Sequence, residues 1–381
     1  MRTAFVNGVV LTLAGFRDDV AVIVDGDRID DAIDADDARL RDIERVDLGG
    51  HTLLPGFIDV QVNGGGGVLF NDVPTVDTIR AIGEAHRRFG TTGFLPTLIS
   101  DDADVMRAAI AAVDAAIAQR VPGVLGIHIE GPYIAPTRRG AHDANKFRAL
   151  DDAELDLVCS LRHGKTVLTL APECVPPGRI RELVARGVIV CAGHTAADYA
   201  QTRAALDAGV RGFTHLFNAM TPLQGREPGV VGAALEDPDS WCGIIVDGFH
   251  VHPSSLRVAL AAKASGKLML VTDAMPPVGA HSETYMLAGV PITCRDGRCE
   301  TPDGVLAGSA LDMAGAVRNT VNALGIPLDE AGRMASTYPA DFLGLSHDVG
   351  HVAKGRRADL VVFDRTLHVV RTCIGGAWSP L

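Results

Sequence analysis

Two rhythms of apolar residues divide the chain. Through the first fifty residues, short β-type stretches (Thr3 to Val6, Val9 to Leu13, Val20 to Val24) break at Asn7-Gly8 and Asp25-Gly26. Both dipeptides favour the left-handed backbone of tight turns, so this opening segment reads as a small sheet built of hairpins. From about Leu53 the rhythm changes to short continuous apolar runs alternating with helical spacing, as in Met106, Ile110, Val113 and Ile117. The runs are Phe57 to Val60, Gly93 to Pro96, Val124 to Ile129, Val167 to Leu170, Val188 to Val190, Gly212 to Thr214, Gly243 to Val246 and Leu268 to Val271. Continuous apolarity suits parallel strands buried on both faces. Eight strand-helix units in about 220 residues match the size of an α/β fold of the (β/α)8 TIM-barrel type.

After the eighth run come a hairpin-like insert around Arg295 to Arg298, turning at Asp296-Gly297, and a helical stretch from Ser309. A β-like tail follows, Ala358 to Phe363 and Leu367 to Val370, with the same texture as the head. Chain ends commonly lie close together at a domain surface. The expected organisation is therefore a barrel over residues 53–344 and a small β-sandwich domain assembled from residues 1–52 and 345–381.

Composition narrows the class. With 381 residues, 47% hydrophobic and 22% charged, the chain is a folded globular protein and not a disordered, collagen-like or coiled-coil one. Its net charge of -12 and lack of any Lys/Arg run exclude a nucleic-acid partner, and an anionic substrate must be captured by local positive groups. The acidic stretch Asp30 to Asp37 reads as a solvated loop or face. No run of about 18 apolar residues exists to span a membrane, and Asn7-Gly8 interrupts the N-terminal apolar stretch, so a soluble cytoplasmic protein is expected. The seven cysteines are scattered without a Cys-x-x-Cys, which predicts neither a disulfide framework nor a thiolate zinc site.

In a barrel, chemistry sits where the strands end at the C-terminal face. The first run leads into Asp59, Gln61, Asn63 and the turn Gly64 to Gly67, the third into His128 and Glu130, the fifth into His194, the sixth into His215, the seventh into Asp247 and His250, and the eighth into Asp273. A single histidine after a strand is more often a loop or capping residue than a ligand. Glu130, His194 and His215, however, converge from three strands on one mouth, and a carboxylate with two imidazoles is a catalytic metal donor set. His128 shares a strand face with Glu130 and reads as barrel lining. Asp273 is a helix cap, a salt-bridge partner or, beside a metal-activated water, a general base. Gly64 to Gly67 lacks the spacing of a phosphate-binding loop and reads as a flexible turn.

Longer stretches carry a resemblance. LPGFIDVQVNGGGG from Leu54, GIHIEGPYI from Gly126, the Gly140 to His142 triplet, AGHT from Ala192, THLFNAM from Thr214, DGFH from Asp247, VTDAM from Val271 and GRRADLVVFD from Gly355 run in order along almost the whole chain. Together they resemble the N-acetylglucosamine-6-phosphate deacetylases of the metal-dependent amidohydrolase superfamily. The resemblance implies that Glu130, His194 and His215 hold one divalent metal, Zn2+ foremost with Fe2+ and Mn2+ as alternatives, and that Asp273 is the general base and acid. Many amidohydrolases place a His pair after the first strand; here Asp59 and Gln61 are read at those positions, implying one metal, with Asp59 and Gln61 either structural or a weak second site. The resemblance further assigns Ala141, His142, Asn218, Ala219, Arg226 and His250 to the phosphorylated amino sugar, and Leu306, Ala307, Gly308 and Ser309 to a segment closing over the N-acetyl group. It implies a homodimer that shares the phosphate site, and hydrolysis of N-acetyl-D-glucosamine 6-phosphate to glucosamine 6-phosphate and acetate, in amino-sugar catabolism and cell-wall recycling. The alternatives are a dihydroorotase-like cyclic amidase, a deacetylase of another amino sugar, or an inactive amidohydrolase-like binding protein.

Overall fold

A computed structural model describes residues 2–379. The eight expected strands are present: β1 (Phe57–Val62), β2 (Thr91–Ile99), β3 (Gly126–Glu130), β4 (Lys165–Leu170), β5 (Ile189–Ala192), β6 (Gly212–Phe213), β7 (Trp241–Ile244) and β8 (Leu268–Leu270). They pair in parallel in sequence order. All six residues of β1 are buried, as are all five of β3, because side chains fill the barrel inside while helices cover it outside. Helix Ala103–Ala118, for example, turns Met106, Ile110 and Val113 into that packing. The barrel closes between the end of β1 and the residues just past β8, where Asp273 N–H donates to the Gln61 carbonyl (3.0 Å) and Asn63 N–H to that of Ala274 (2.9 Å).

Head and tail form two further sheets. One has the order 28–34, 20–25, 2–6, 44–47; the other joins Ala377–Trp378, Val369–Ile374, Leu360–Phe363, Thr52–Pro55, Val9–Thr12 and Gly15–Arg17. Phe5 and Val22 of the first sheet and Val10, Leu53 and Leu360 of the second share one apolar core, so the two layers make a small sandwich. Its pairing runs through Pro55, past residue 52.

Two turn readings need correction. Asp25-Gly26 does lie in a hairpin, between Val20–Asp25 and Arg28–Asp34, but Asn7-Gly8 does not join paired strands. Arg2–Val6 pairs with strands of the first sheet, whereas Val9–Thr12 pairs with Gly15–Arg17 and Thr52–Pro55 in the second. Asn7 does take a positive φ of 57°, yet the turn carries the chain between layers, because non-local partners claim the strands on either side. Gly64 to Gly67 is likewise not a flexible turn. It is a short hairpin, Gly64–Gly65 against Val68–Leu69, whose backbone N–H groups at Gly64, Gly66 and Gly67 bond the carbonyls of Ala274, Val278 and Pro276. A Cβ on Gly64 would lie 2.5 Å from the Val68 carbonyl oxygen and 2.9 Å from the Pro276 nitrogen. Close approach of the segments following β1 and β8 therefore requires glycine.

The insert after β8 is an antiparallel sheet of Thr284–Leu287, Val290–Arg295, Arg298–Glu300 and Leu306–Ser309, turning at Asp296-Gly297 as expected. Ser309 ends a strand, and the helix begins at Met313, capped by the Asp312 carboxylate. Cys294 and Cys299 face each other across this sheet and form a disulfide, one cross-strand pair where the spacing predicted none. The acidic stretch after Asp30 is largely an edge strand, Arg28–Asp34, which buries Ile29 and Ile33 and leaves carboxylates outward. Among the described residues no helix is long and apolar enough to cross a membrane.

Candidate metal centre and active site

The C-terminal ends of the strands deliver Glu130, His194 and His215 to one point. Glu130 Oε1 lies 3.1 Å from His194 Nε2 and 3.0 Å from His215 Nε2, and the two Nε2 atoms are 3.0 Å apart. All three side chains are buried. His194 Nδ1–H donates to the Arg138 carbonyl at 2.8 Å, which leaves its Nε2 as a bare lone pair. A tetrahedral ion with zinc-like bonds spaces its donors at about 3.3 Å, so this triangle has the size and the chemistry to hold one. Among the described residues it is the group of three such side chains able to do so.

The electrostatics agree. Burial alone would raise the Glu130 carboxyl, but the His194 and His215 imidazoles beside it outweigh that and hold the group well below the usual carboxylate range. Burial would lower His215, and Glu130 raises it instead. A positive charge is favoured at this point. Backbone conformations at the site are unusual: φ is positive at His194 (47°), His215 (35°) and Asp273 (53°), all non-glycine residues.

Asp273 stands beside the triangle. Asn63 Nδ2 donates to its Oδ1 at 2.6 Å and Gln61 Nε2 to the same oxygen at 3.2 Å. Gln61 Nε2 also reaches both Glu130 oxygens, at 3.2 and 3.3 Å. Burial, and then the negative charge of Glu130, push the Asp273 carboxyl up to about 6. The residues of β1 and its extension that reach the centre are thus Gln61 and Asn63. Asp59 lies away from it, receives hydrogen bonds from the Thr272 hydroxyl and N–H, and ties β1 to the end of β8; burial pushes it up to about 7. Period-two alternation from Gln61 was the signal that could have found Asn63.

Around these groups is a cavity of about 250 Å³. Ala141, His142, Asn218, Ala219, His250, Leu306 and Gly308 line it, together with Met275, Leu287 and Val305. His142 Nδ1 accepts from the Ser100 N–H at 3.3 Å, which places its own proton on Nε2; burial, then His194, lower it to about 3, so it is a neutral donor. His250 Nδ1 donates to Asp247 Oδ2 at 2.6 Å. His128 is sandwiched between the Thr97 and Thr169 hydroxyls at 3.2 and 2.8 Å and is lining, as expected. Three of the expected residues are not brought to the cavity. Ala307 packs into the apolar cluster of the insert. The Ser309 hydroxyl donates to the Thr272 carbonyl. Arg226 is exposed on the long loop after β6. Asn63, Ser100 and Asp247 are contributors the motif reading did not assign.

A parallel barrel with two imidazoles, a carboxylate and a neighbouring aspartate gathered at its mouth defines a metal-assisted barrel hydrolase. The chain belongs to the amidohydrolase family, which it matches over residues 52–378. It is 45% identical over 325 residues to an N-acetylgalactosamine-6-phosphate deacetylase of Shewanella sp. (strain ANA-3), covering 85% of this chain and 82% of that one. It is 36% identical over the full length of both chains to an N-acetylglucosamine-6-phosphate deacetylase of Haemophilus influenzae. Among solved structures, N-acetylglucosamine-6-phosphate deacetylase from Pasteurella multocida superposes with a TM-score of 0.96 at 37% identity, covering 100% of both chains.

Proposed function

We propose that the protein removes the acetyl group from N-acetyl-D-glucosamine 6-phosphate, giving glucosamine 6-phosphate and acetate, as a cytoplasmic step of amino-sugar catabolism and cell-wall recycling. The observation that carries this reading is Asp273, fixed by two amides beside the Glu130–His194–His215 triangle in one cavity. Glu130, His194 and His215 would hold a divalent cation, which we assign as zinc with iron(II) and manganese(II) as alternatives; when bound it polarises the amide carbonyl and acidifies water.

The chain's own groups do the rest. Asn63 and Gln61 hold Asp273 by one oxygen, so the other is free to take a proton from water as that water adds to the carbonyl carbon. Asp273 then delivers the proton to the departing nitrogen as the C–N bond breaks, leaving acetate and a free amine. His250, fixed in the cavity wall by its Nδ1–H bond to Asp247, is assigned to the carbonyl-oxygen side of the amide. His142 donates from Nε2 toward the sugar. The segment Leu306–Ser309, laid beside Asp273 and Met275, covers the acetyl end and excludes bulk water.

For the phosphate we assign Asn218, Ala219 and Arg226. Arg226 is exposed within one chain, a position suited to reaching a substrate across a homodimer. A second reading, the C4-epimeric N-acetylgalactosamine 6-phosphate, is supported by the 45% identical Shewanella relative.

Acetate release from both epimers and from their unphosphorylated forms tests these readings together. The expected result is turnover of the glucosamine phosphate, with a large loss when phosphate is absent. Preference for the galactosamine phosphate would transfer the assignment to the second reading. Release from none of the four would remove the deacetylase function.

A further inference from the structure

His194 reaches the centre through a backbone conformation that L-residues rarely adopt, φ +47°, so something other than local preference has to hold it. The segment that follows it is gripped from three sides. Ala135 N–H donates to the His194 carbonyl at 2.9 Å, and Thr195 N–H donates to the Ala219 carbonyl at 3.0 Å, linking it to the loops after β3 and β6. The third grip comes from the loop after β4. There the Glu173 carboxylate accepts the Thr195 hydroxyl on one oxygen and the Ala196 N–H on the other. Thr195 is fully buried, and its hydroxyl oxygen in turn accepts the Ala197 N–H at 3.0 Å.

Glu173 lies outside the cavity lining. Among the described residues it forms no ion pair, so its carboxylate is spent on two donors, one and two positions beyond His194. A charged acceptor makes each of these bonds stronger than a neutral one would.

We infer that Glu173 is a positioning residue: it holds the Thr195–Ala196 segment so that His194 Nε2 faces Glu130 and His215, and thereby sets the cation affinity of the centre. This rests on the reading of Glu130, His194 and His215 as the cation-holding group. Partners that orient a ligand from behind commonly change metal affinity by about 10–100-fold when removed. Glutamine keeps both contacts in neutral form, since its carbonyl can accept from Ala196 N–H while its amide meets the Thr195 hydroxyl.

The test is a Zn2+ titration of chelator-stripped protein against a chromophoric competitor, with thermal melting of the same metal-free samples. Glu173→Ala is expected to bind Zn2+ about 10–100-fold more weakly than the unsubstituted protein, while its metal-free melting temperature moves by only a few degrees. Glu173→Gln is expected to recover most of the affinity. Thr195→Val, which keeps the volume and loses the hydroxyl, is expected to weaken binding in the same direction and decides the matter if Glu173→Ala does not fold. Unchanged affinity in Glu173→Ala, or in Thr195→Val where that variant decides, overturns the inference. So does a loss in Glu173→Gln as large as in Glu173→Ala, which would assign the effect to charge. Failure of the unsubstituted protein to bind Zn2+ overturns the cation reading and this inference with it.

Discussion

At the scale of single residues, the division of labour between Asp273 and its two amides is open to measurement. Asp273→Asn is expected to keep cation and substrate binding but lose about 10²–10⁴-fold in kcat, because the amide cannot accept the proton. Asn63→Ala removes the 2.6 Å bond to Asp273 and is expected to lower kcat by about 10–100-fold with little change in KM. A KM effect without a kcat effect would place Asn63 in substrate binding. Glu130, His194, His215 and Asp273 were legible because polar residues that end apolar runs of a barrel have one place to go. The partners behind them were less so: Asn63 and Ser100 act through contacts between different strands or loops, where a spacing pattern carries no information on which side chain meets which, whereas Asp247 meets His250 within one loop. The strand-one pair was read one step too early, at Asp59 and Gln61, where geometry brings Gln61 and Asn63 to the centre.

At the scale of elements, the glycine hairpin after β1 acts as a spacer for the site. Its N–H groups bind the segment after β8, so Asn63 and Asp273 sit on neighbouring segments held at fixed distance. Gly64→Ala would drive a Cβ against two backbone atoms, at 2.5 and 2.9 Å, that have no side-chain freedom with which to yield. A stability loss of about 1–3 kcal/mol is expected, read as a lower melting temperature, with a fall in kcat beyond what that loss explains. Wild-type turnover in this variant would show that the spacing is not critical. The eight barrel strands were legible because burial on both faces writes itself as unbroken apolarity. The Asn7-Gly8 hairpin failed for a related reason: turn chemistry fixes the local φ, while strand partners are chosen by distant residues, here Thr52–Pro55. The Cys294–Cys299 pair also depended on register, which only the folded insert defines.

At the scale of the whole molecule, the sandwich binds residues from the two ends of the sequence. Thr52–Pro55 lies between Val9–Thr12 on one side and Leu360–Phe363 on the other, and leads directly into β1. Removing residues 359–381 would leave Thr52–Pro55 with an open edge and would uncover Leu53 of the sandwich core. Such a variant is expected to aggregate on size-exclusion chromatography and to bind a hydrophobic dye, even though every barrel strand and every residue of the metal triangle is intact. A monodisperse, dye-negative product would mean that the sandwich is dispensable to the barrel.

This arrangement also bears on how the chain is made. A ribosome working at about 5–20 residues per second needs about 15–60 s to travel from Pro55 to Leu360. Throughout that interval the strand beside the barrel's first stave has emerged without its second neighbour. The nascent protein therefore passes through a long adhesive stage that is relieved only when its tail arrives, and holdase chaperones would find their natural target there.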